Sequence, residues 1–444
     1  MGITKVERAL SVVSIFAAAF LIAIATASFA QETGRTVRHI HVQEQDPTAD
    51  LLTQAETDID KQDYSSAESL LKKYLDAHSD SYAAWYDLGF VDHALGKNQD
   101  SIAAYRKSVA AKPGIFESNL NLGLALANAG DPQAEQFLRT ATQLTPNSNP
   151  EQGHKRAWMA LGHVLESTKS DEAIAAYRQA ATLDPRDPEP HLLAGSLLEK
   201  QQKPTDAEKE YQQALSADPN SSDALIALSN LYMSQKRFPE AQASLQKLIA
   251  LHPNDAGAHL QLARMLAISG KNDEAINEME AGLKLDPNDA NAQRDLADLY
   301  ASSAKYDQAA RLYTALLAAN PDDATLHFGL GRMFLKEKKF PDAEQELTKA
   351  VQLKPQWGEA YGELAVAANE NKDYPLAIKA ADLRGQYLPE NPMSYFLRAT
   401  AYDHLRDAKD AARYYHQFLG VAGGKYPDQE WQAQHRLIAI EPKK

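Results

Sequence analysis

A proline returns every 34 residues through the second half of the chain, at Pro185, Pro219, Pro253, Pro287, Pro321, Pro355 and Pro389. A fixed period of this length constrains the fold more than any other feature. Each unit is too small to bury its own apolar face, so it must stack on its neighbours, and the chain builds a solenoid.

When the recurring proline is taken as position 32, apolar residues fall at positions 4, 7 and 11 and again at 20, 24, 27 and 28. Spacings of three and four predict two amphipathic helices per unit. Small residues at position 8 (Gly89, Gly195, Gly331) and alanine at position 20 (Ala173, Ala207, Ala241, Ala275, Ala309, Ala343, Ala377, Ala411) let the paired helices approach closely. The punctuation agrees. Gly96, Gly130 and Gly270 sit where the first helix ends, a place for left-handed backbone. Pro239, Pro341 and Pro375 open second helices. The position 32 proline stops the second helix. Position 34 (Ser81, Asp187, Ser221, Asp255, Asp289, Asp323, Asn391) supplies an N-cap to the next unit.

The run Trp85-x-x-Leu88-Gly89, the alanine at 20, the aromatic at 24 (Tyr105, Tyr177, Tyr211, Tyr313) and the proline at 32 resemble the tetratricopeptide repeat. About eleven units are in register: 48–81, 82–115, 116–148, 155–187, 188–221, 222–255, 256–289, 290–323, 324–357, 358–391 and 392–425. The resemblance implies an all-α, right-handed superhelical solenoid of helix-turn-helix repeats over 48–425, closed by a capping helix and tail over 426–444. In that helix Trp431, Leu437 and Ile438 are expected to cover the last groove, with Gln429, Gln432 and Arg436 facing water. Two departures stand out. Pro146 and Pro185 are 39 apart, which predicts an insertion within 147–155. Unit 358–391 has Ala368 and Ala381 at bulky positions and Arg384 at a small one, which predicts a loose or bent junction.

Residues 1–30 read as a secretory signal peptide: Lys5 and Arg8, then 22 uncharged residues that end in Ala25-Thr26-Ala27 and Ser28-Phe29-Ala30, with cleavage between Ala30 and Gln31. An N-terminal membrane anchor is the alternative. Either way the repeats are expected to be exported, to a periplasm or beyond the cell. Residues 31–47 read as a flexible spacer in which His39 and His41 have no assigned role. The chain has no cysteine, so packing alone must hold it. Its net charge is −14. That sign argues against nucleic acid, whose phosphates need neutralising, and against an anionic membrane surface.

No metal-protease, serine-hydrolase or phosphate-loop motif occurs, so no catalytic residue, metal or cofactor is assigned. Gly329-Leu330-Gly331 opens like a nucleotide motif but falls on a first helix, where Gly331 is the small packing position. His259 and His327 stand at position 4 and read as half-buried packing residues.

In the resembling family, first helices line a concave groove through positions 2, 5, 9, 12 and 13. Carried over, these give an aromatic and apolar end (Tyr86, Phe90, His93, Leu120, Leu124) and a polar stretch (Asn230, Arg264, Arg294, Asp298, Arg332, Asn369). The arginines suit carboxylates or pair with acids such as Asp298. Some relatives clamp a C-terminal carboxylate with Lys and Asn. Here Asn230 is present, but Ile226 replaces the lysine and Gln261, Asn291 and Asp295 follow, so that clamp is missing. The resemblance implies an exported, non-catalytic scaffold that takes a protein or peptide partner in its groove, within a cell-envelope complex. Polysaccharide binding or polymer secretion is the alternative, with Tyr86, Phe90, Phe328 and Phe396 as the candidate aromatics.

Overall fold

The structure, a computed structural model, describes residues 48–441. The predicted leader, its cleavage at Ala30–Gln31, the spacer with His39 and His41, and the last three residues of the tail lie outside the described residues. Among the described residues there are 23 helices and no strand. Packing divides them into two compact bodies, one ending at Leu251 and the other beginning at His252.

The first body holds six pairs: α1 (Ala49–Asp60) with α2 (Tyr64–Ala77), α3 (Tyr82–Ala94) with α4 (Asn98–Ala111), α5 (Phe116–Asn128) with α6 (Ala134–Gln143), α7 (Pro150–Leu165) with α8 (Ser170–Leu183), α9 (Glu189–Lys200) with α10 (Pro204–Ala217), and α11 (Ser222–Ser234) with α12 (Phe238–Leu251). The second holds five: α13 (Ala256–Ile268) with α14 (Asn272–Leu285), α15 (Ala290–Ser302) with α16 (Tyr306–Ala319), α17 (Ala324–Lys336) with α18 (Phe340–Leu353), α19 (Gly358–Glu370) with α20 (Tyr374–Tyr387), and α21 (Pro392–His404) with α22 (Ala408–Ala422). A single helix, α23 (Pro427–Ile440), closes it.

Each pair forms for the reason its sequence gives. Position 34 side chains cap as expected at six of the seven sites: Ser81 accepts the Ala84 N–H, Ser221 that of Ala224, Asp255 that of Ala258, and Asn391 that of Ser394, with Asp289 and Asp323 doing the same. Asp187 is the exception, since α9 starts one residue later with Pro188 at its N-cap. The alanines at position 20 are buried throughout. At Gly89 a Cβ would lie 2.6 Å from the Tyr105 ring, so only glycine lets α3 and α4 close over that tyrosine. The turn between paired helices is left-handed at Gly96, Gly130 and Gly270. The same position is also left-handed at Gln62, Gln202, Lys236, Ala304, Lys338, Lys372 and Arg406, with φ from 57° to 68°. The repeat imposes that conformation even where a Cβ opposes it.

The insertion between Pro146 and Pro185 becomes an early start for α7. Asn149 takes φ 43°, and the helix runs 16 residues from Pro150. The expected looseness of unit 358–391 is not found. Ala368 is 0% and Ala381 2% exposed, so α19 and α20 close on each other where larger side chains would hold them apart. Tyr361 and Tyr387 stack at 6.2 Å, and Arg384 donates to the Pro389 carbonyl at 3.0 Å.

The capping helix also differs from expectation. Leu437 is buried, but with Ala433 beside it and Ile440 packed against the same core; Trp431 and Ile438 are 62% and 68% exposed. Gln432 and Arg436 are exposed as expected, whereas Gln429 is half-buried; Arg436 also holds Asp403 through two bonds of 2.6 Å. Ala433 and Leu437 meet the core, and Trp431 turns outward.

Candidate functional site

The recurring position 24 tyrosines reach through the packed interior to the face of their own first helix. Tyr177 donates its hydroxyl to Glu166 at 2.5 Å, Tyr313 to Asp298 at 2.5 Å, and Tyr415 to Asp403 at 3.2 Å; Tyr211 donates to Glu199. Burial, and then the facing carboxylate, pushes all four phenols far above their ordinary range. The carboxylates respond to different balances. Burial raises Glu199 despite the Tyr211 bond. Burial also opposes charge at Glu166, but hydrogen bonds from His163 and Tyr177 hold it below the usual range. An acid at position 12 followed by tyrosine at 24 in three of these units was the readable sequence signal for this device.

In the first body, the residues expected to line an apolar groove end are used internally. Tyr86 is half-buried, its ring 5.8 Å from Tyr105 and its hydroxyl accepting from Asn121 Nδ2 at 2.9 Å. Phe90 is half-buried and edge-on to Tyr64 at 6.2 Å. Leu120 and Leu124 are 4% and 9% exposed, so they belong to the core and line no groove. His93 is exposed near the end of α3, and Asn230 is half-buried on α11.

In the second body, the arginines form a ladder that steps from one first helix to the next unit. Arg264 Nε meets Asp295 at 2.8 Å. Arg294 Nη2 meets Asp323 at 2.5 Å and its Nη1 reaches Thr325 at 3.4 Å. Arg332 Nε lies 3.5 Å from Glu363, its guanidinium 5.6 Å from the Phe328 ring. The partner expected from the sequence, Asp298, is taken by Tyr313 instead. Burial resists charge at Asp323, but bonds from Thr325, Arg294 and its capped backbone hold it down at about 2. Even so, the guanidinium side chains of Arg264, Arg294 and Arg332 remain 40%, 41% and 47% exposed. Asn369 is half-buried on α19, with Oδ1 buried and without a partner among the described residues, so that oxygen faces inward and away from any groove.

The candidate sugar-stacking rings are likewise engaged. Phe328 lies 4.4 Å from Trp357, and Phe396 lies 5.1 Å from Phe418. Gly329 and Gly331 are packing glycines, where a Cβ would meet the Tyr313 ring at 2.8 Å and Leu347 at 2.6 Å.

The sequence matches the tetratricopeptide repeat family at residues 52–114, 93–149, 163–222 and 294–357, with further matches at 198–266 and 256–299. Among curated proteins it is similar to protein NPGR1 of Arabidopsis thaliana, 26% identical over 121 residues. That match covers 27% of this chain and only 17% of the relative's length. Among solved structures it is similar to pilF of Pseudomonas aeruginosa (23% identity, 48% of this chain and 97% of that one, TM-score 0.39). It is also similar to YrrB, described as a tetratricopeptide repeat protein with an unusual peptide-binding site (20% identity, 41% and 94%, TM-score 0.37). Proteins built this way are in general scaffolds for protein interaction, and the fold is typically non-catalytic. With its repeats matched over more than half of its length, the chain belongs to the tetratricopeptide repeat family.

Proposed function

We propose that this protein is an exported, non-catalytic scaffold that binds an extended segment of a partner protein along the first helices of its second body, within a cell-envelope complex. The observation that carries the reading is the arginine ladder. Three guanidinium groups, each more than a third exposed, pair with carboxylates toward the following unit: Asp295 and Glu363 within it, and Asp323 at its N-cap. Exposed pairs of this kind contribute about 1 kcal/mol or less to stability, so they are easily exchanged for a partner's groups. An arginine fork accepts a peptide's carboxylates, and the displaced Asp295 and Glu363 take its N–H groups and cations. A segment with alternating acidic and basic or amide side chains fits this surface better than a uniformly acidic one.

Tyr86 and Phe90 are committed to packing, so the apolar contact for a partner lies in the second body. Val366 is 42% and Met393 38% exposed there, on the first helices of successive units. The test is a crosslinking capture from cells that express the protein, run with the full chain and with an Arg264→Ala, Arg294→Ala, Arg332→Ala variant. A protein retained by the first and lost by the second supports the reading. Equal capture by both overturns the ladder as the site, and recovery of glycan without protein overturns the scaffold reading.

A further inference from the structure

Position 4 stands at the start of each first helix, beside the turn that carries the recurring proline. Asn119 Nδ2 donates to the Pro113 carbonyl at 2.7 Å, and Gln293 Nε2 to the Pro287 carbonyl at 2.7 Å. Trp85 Nε1 reaches the nearby Ser79 carbonyl at 2.9 Å. His259 and His327 use Nε2 in the same way, toward Pro253 O at 3.3 Å and Pro321 O at 2.8 Å. Their second ring nitrogen, Nδ1, lies 2.7 Å from Glu278 Oε2 and 2.6 Å from Glu346 Oε2, on the second helix of the same unit. The sequence reading of these histidines as half-buried holds, but they are ion-paired and hydrogen-bonded as well as packed.

A carbonyl oxygen and an ionised carboxylate only accept hydrogen bonds. An imidazole facing acceptors at both nitrogens satisfies both only when both carry hydrogen, that is, as the cation. The histidine side chains are 14% and 12% exposed, so water substitutes poorly for a lost partner. The arrangement recurs at every second unit: His191, His259 and His327 are 68 residues apart, and so are Glu210, Glu278 and Glu346. At the first of these, Nδ1 of His191 meets Glu210 at 2.7 Å, but Glu210 also takes Arg178 Nε at 2.6 Å, so its charge has a permanent partner. His259 and His327 have no such arginine on their glutamates among the described contacts.

The positive ends of α13 and α17 oppose a cation at position 4. Asp255 caps α13 by accepting the Ala258 N–H, and Asp323 caps α17 while also holding Arg294. On the same turn as His327, Asp322 pairs with Lys349 at 3.4 Å. Glu278 and Glu346 are thus the groups placed to hold the imidazolium charge.

We propose that His259 and His327 form a protonation-controlled clamp on the proline turns that lead into α13 and α17. As imidazolium, each ties its first helix at once to the proline turn behind it and to the second helix ahead. Loss of the proton breaks one of the two bonds, and the turn loosens. The contribution is present while both ring nitrogens carry hydrogen and is lost with either proton. The clamp stands whether or not the ladder binds a partner.

The experiment is hydrogen exchange on the full chain at pH 5.5 and 7.5, corrected for the intrinsic pH dependence of exchange, reading the segments around 253–262, 287–296 and 321–330. The opening equilibrium of the two histidine turns is expected to grow about fivefold at the higher pH, the loss of one hydrogen bond each. The Gln293 turn between them, which keeps the carbonyl bond without a titrating group, is expected to stay flat. His259→Gln with His327→Gln should make all three turns behave alike. Histidine turns that follow the Gln293 turn in the unaltered protein, or that keep their pH response in the double variant, would overturn the clamp.

Discussion

On α3 and α5, positions 5 and 9 of the repeat are Tyr86, Phe90, Leu120 and Leu124, and their side chains lie against neighbouring helices. On α13, α15 and α17, residues at those same positions are Arg264, Arg294 and Arg332, paired with acids yet 40–47% exposed. One backbone pattern therefore gives two surfaces. Where the side chain is apolar, the solenoid itself consumes it. Where it is a long cation, the charged head stays at the surface and is held by weak pairs. A binding face in such an array is found where the repeat leaves polar groups only lightly engaged.

Buried charge draws the contrast again. In the second body Arg398 is 3% exposed and saturated: Nε on Asp382 at 2.7 Å, Nη2 on Glu390 at 2.8 Å and on the Ala381 carbonyl at 2.6 Å. In the first body Asp92 is 2% exposed and its Oδ1 has no partner among the described residues. It occupies position 11, where other units place Leu126, Leu198 or Leu266. Burial, with the nearby Glu68 carboxylate adding to it, pushes Asp92 up to about 6. Glu68 itself is held low by Lys72 at 2.5 Å and Lys97 at 2.6 Å.

The largest expected effect comes from breaking the saturated site. Arg398→Ala leaves Asp382 and Glu390 facing each other and should cost about 3–5 kcal/mol in equilibrium unfolding of the second body. Tyr86→Ala, on the consumed face, should cost about 2–4 kcal/mol, because a half-buried ring and the Asn121 bond are lost together.

Asp92→Asn should do the reverse. The folded value of Asp92 lies above its ordinary 3.8, so folding favours the protonated acid, and its penalty appears as pH rises from about 4 through 6. The asparagine variant should therefore be more stable than the unaltered protein at pH 7, by at most about 3 kcal/mol. That gain should shrink to nothing near pH 4, as urea titrations at the two pH values would show. Ala304→Gly relieves a left-handed residue at φ 57° and should stabilise its turn by roughly 1 kcal/mol. Arg264→Ala should change stability least, by about 1 kcal/mol or less, despite a bond of 2.8 Å. If Arg264→Ala destabilised as much as Tyr86→Ala, the two faces would be equally structural and the contrast would fail.

Most of the fold was legible in the sequence, because the signals repeat in register: the proline at 32, the caps at 34 and the alanine at 20 each name a local geometry. The left-handed turn was legible only at its three glycines, since Gln202 or Lys372 carries no such signature and adopts the conformation under the packing of its unit. The site was less legible. Which acid an arginine meets depends on the offset between successive units, so Asp295 lay closer to Arg264 than sequence spacing could tell, and Asp298 was lost to Tyr313. Trp431 misled for a similar reason. Its size argued for burial, but Ala433, Leu437 and Ile440 are the residues α23 turns to the core.

The most direct test of the account is where a partner touches the molecule. A photo-crosslinking residue placed at Thr325 or Val366, both exposed on first helices of the second body, is compared with one at His93 on α3 and one at Lys349 on α18. Adducts with a protein at Thr325 and Val366, and none at Lys349, are the expected result. Adducts confined to His93 or Lys349 would contradict the assignment of the binding face to the ladder.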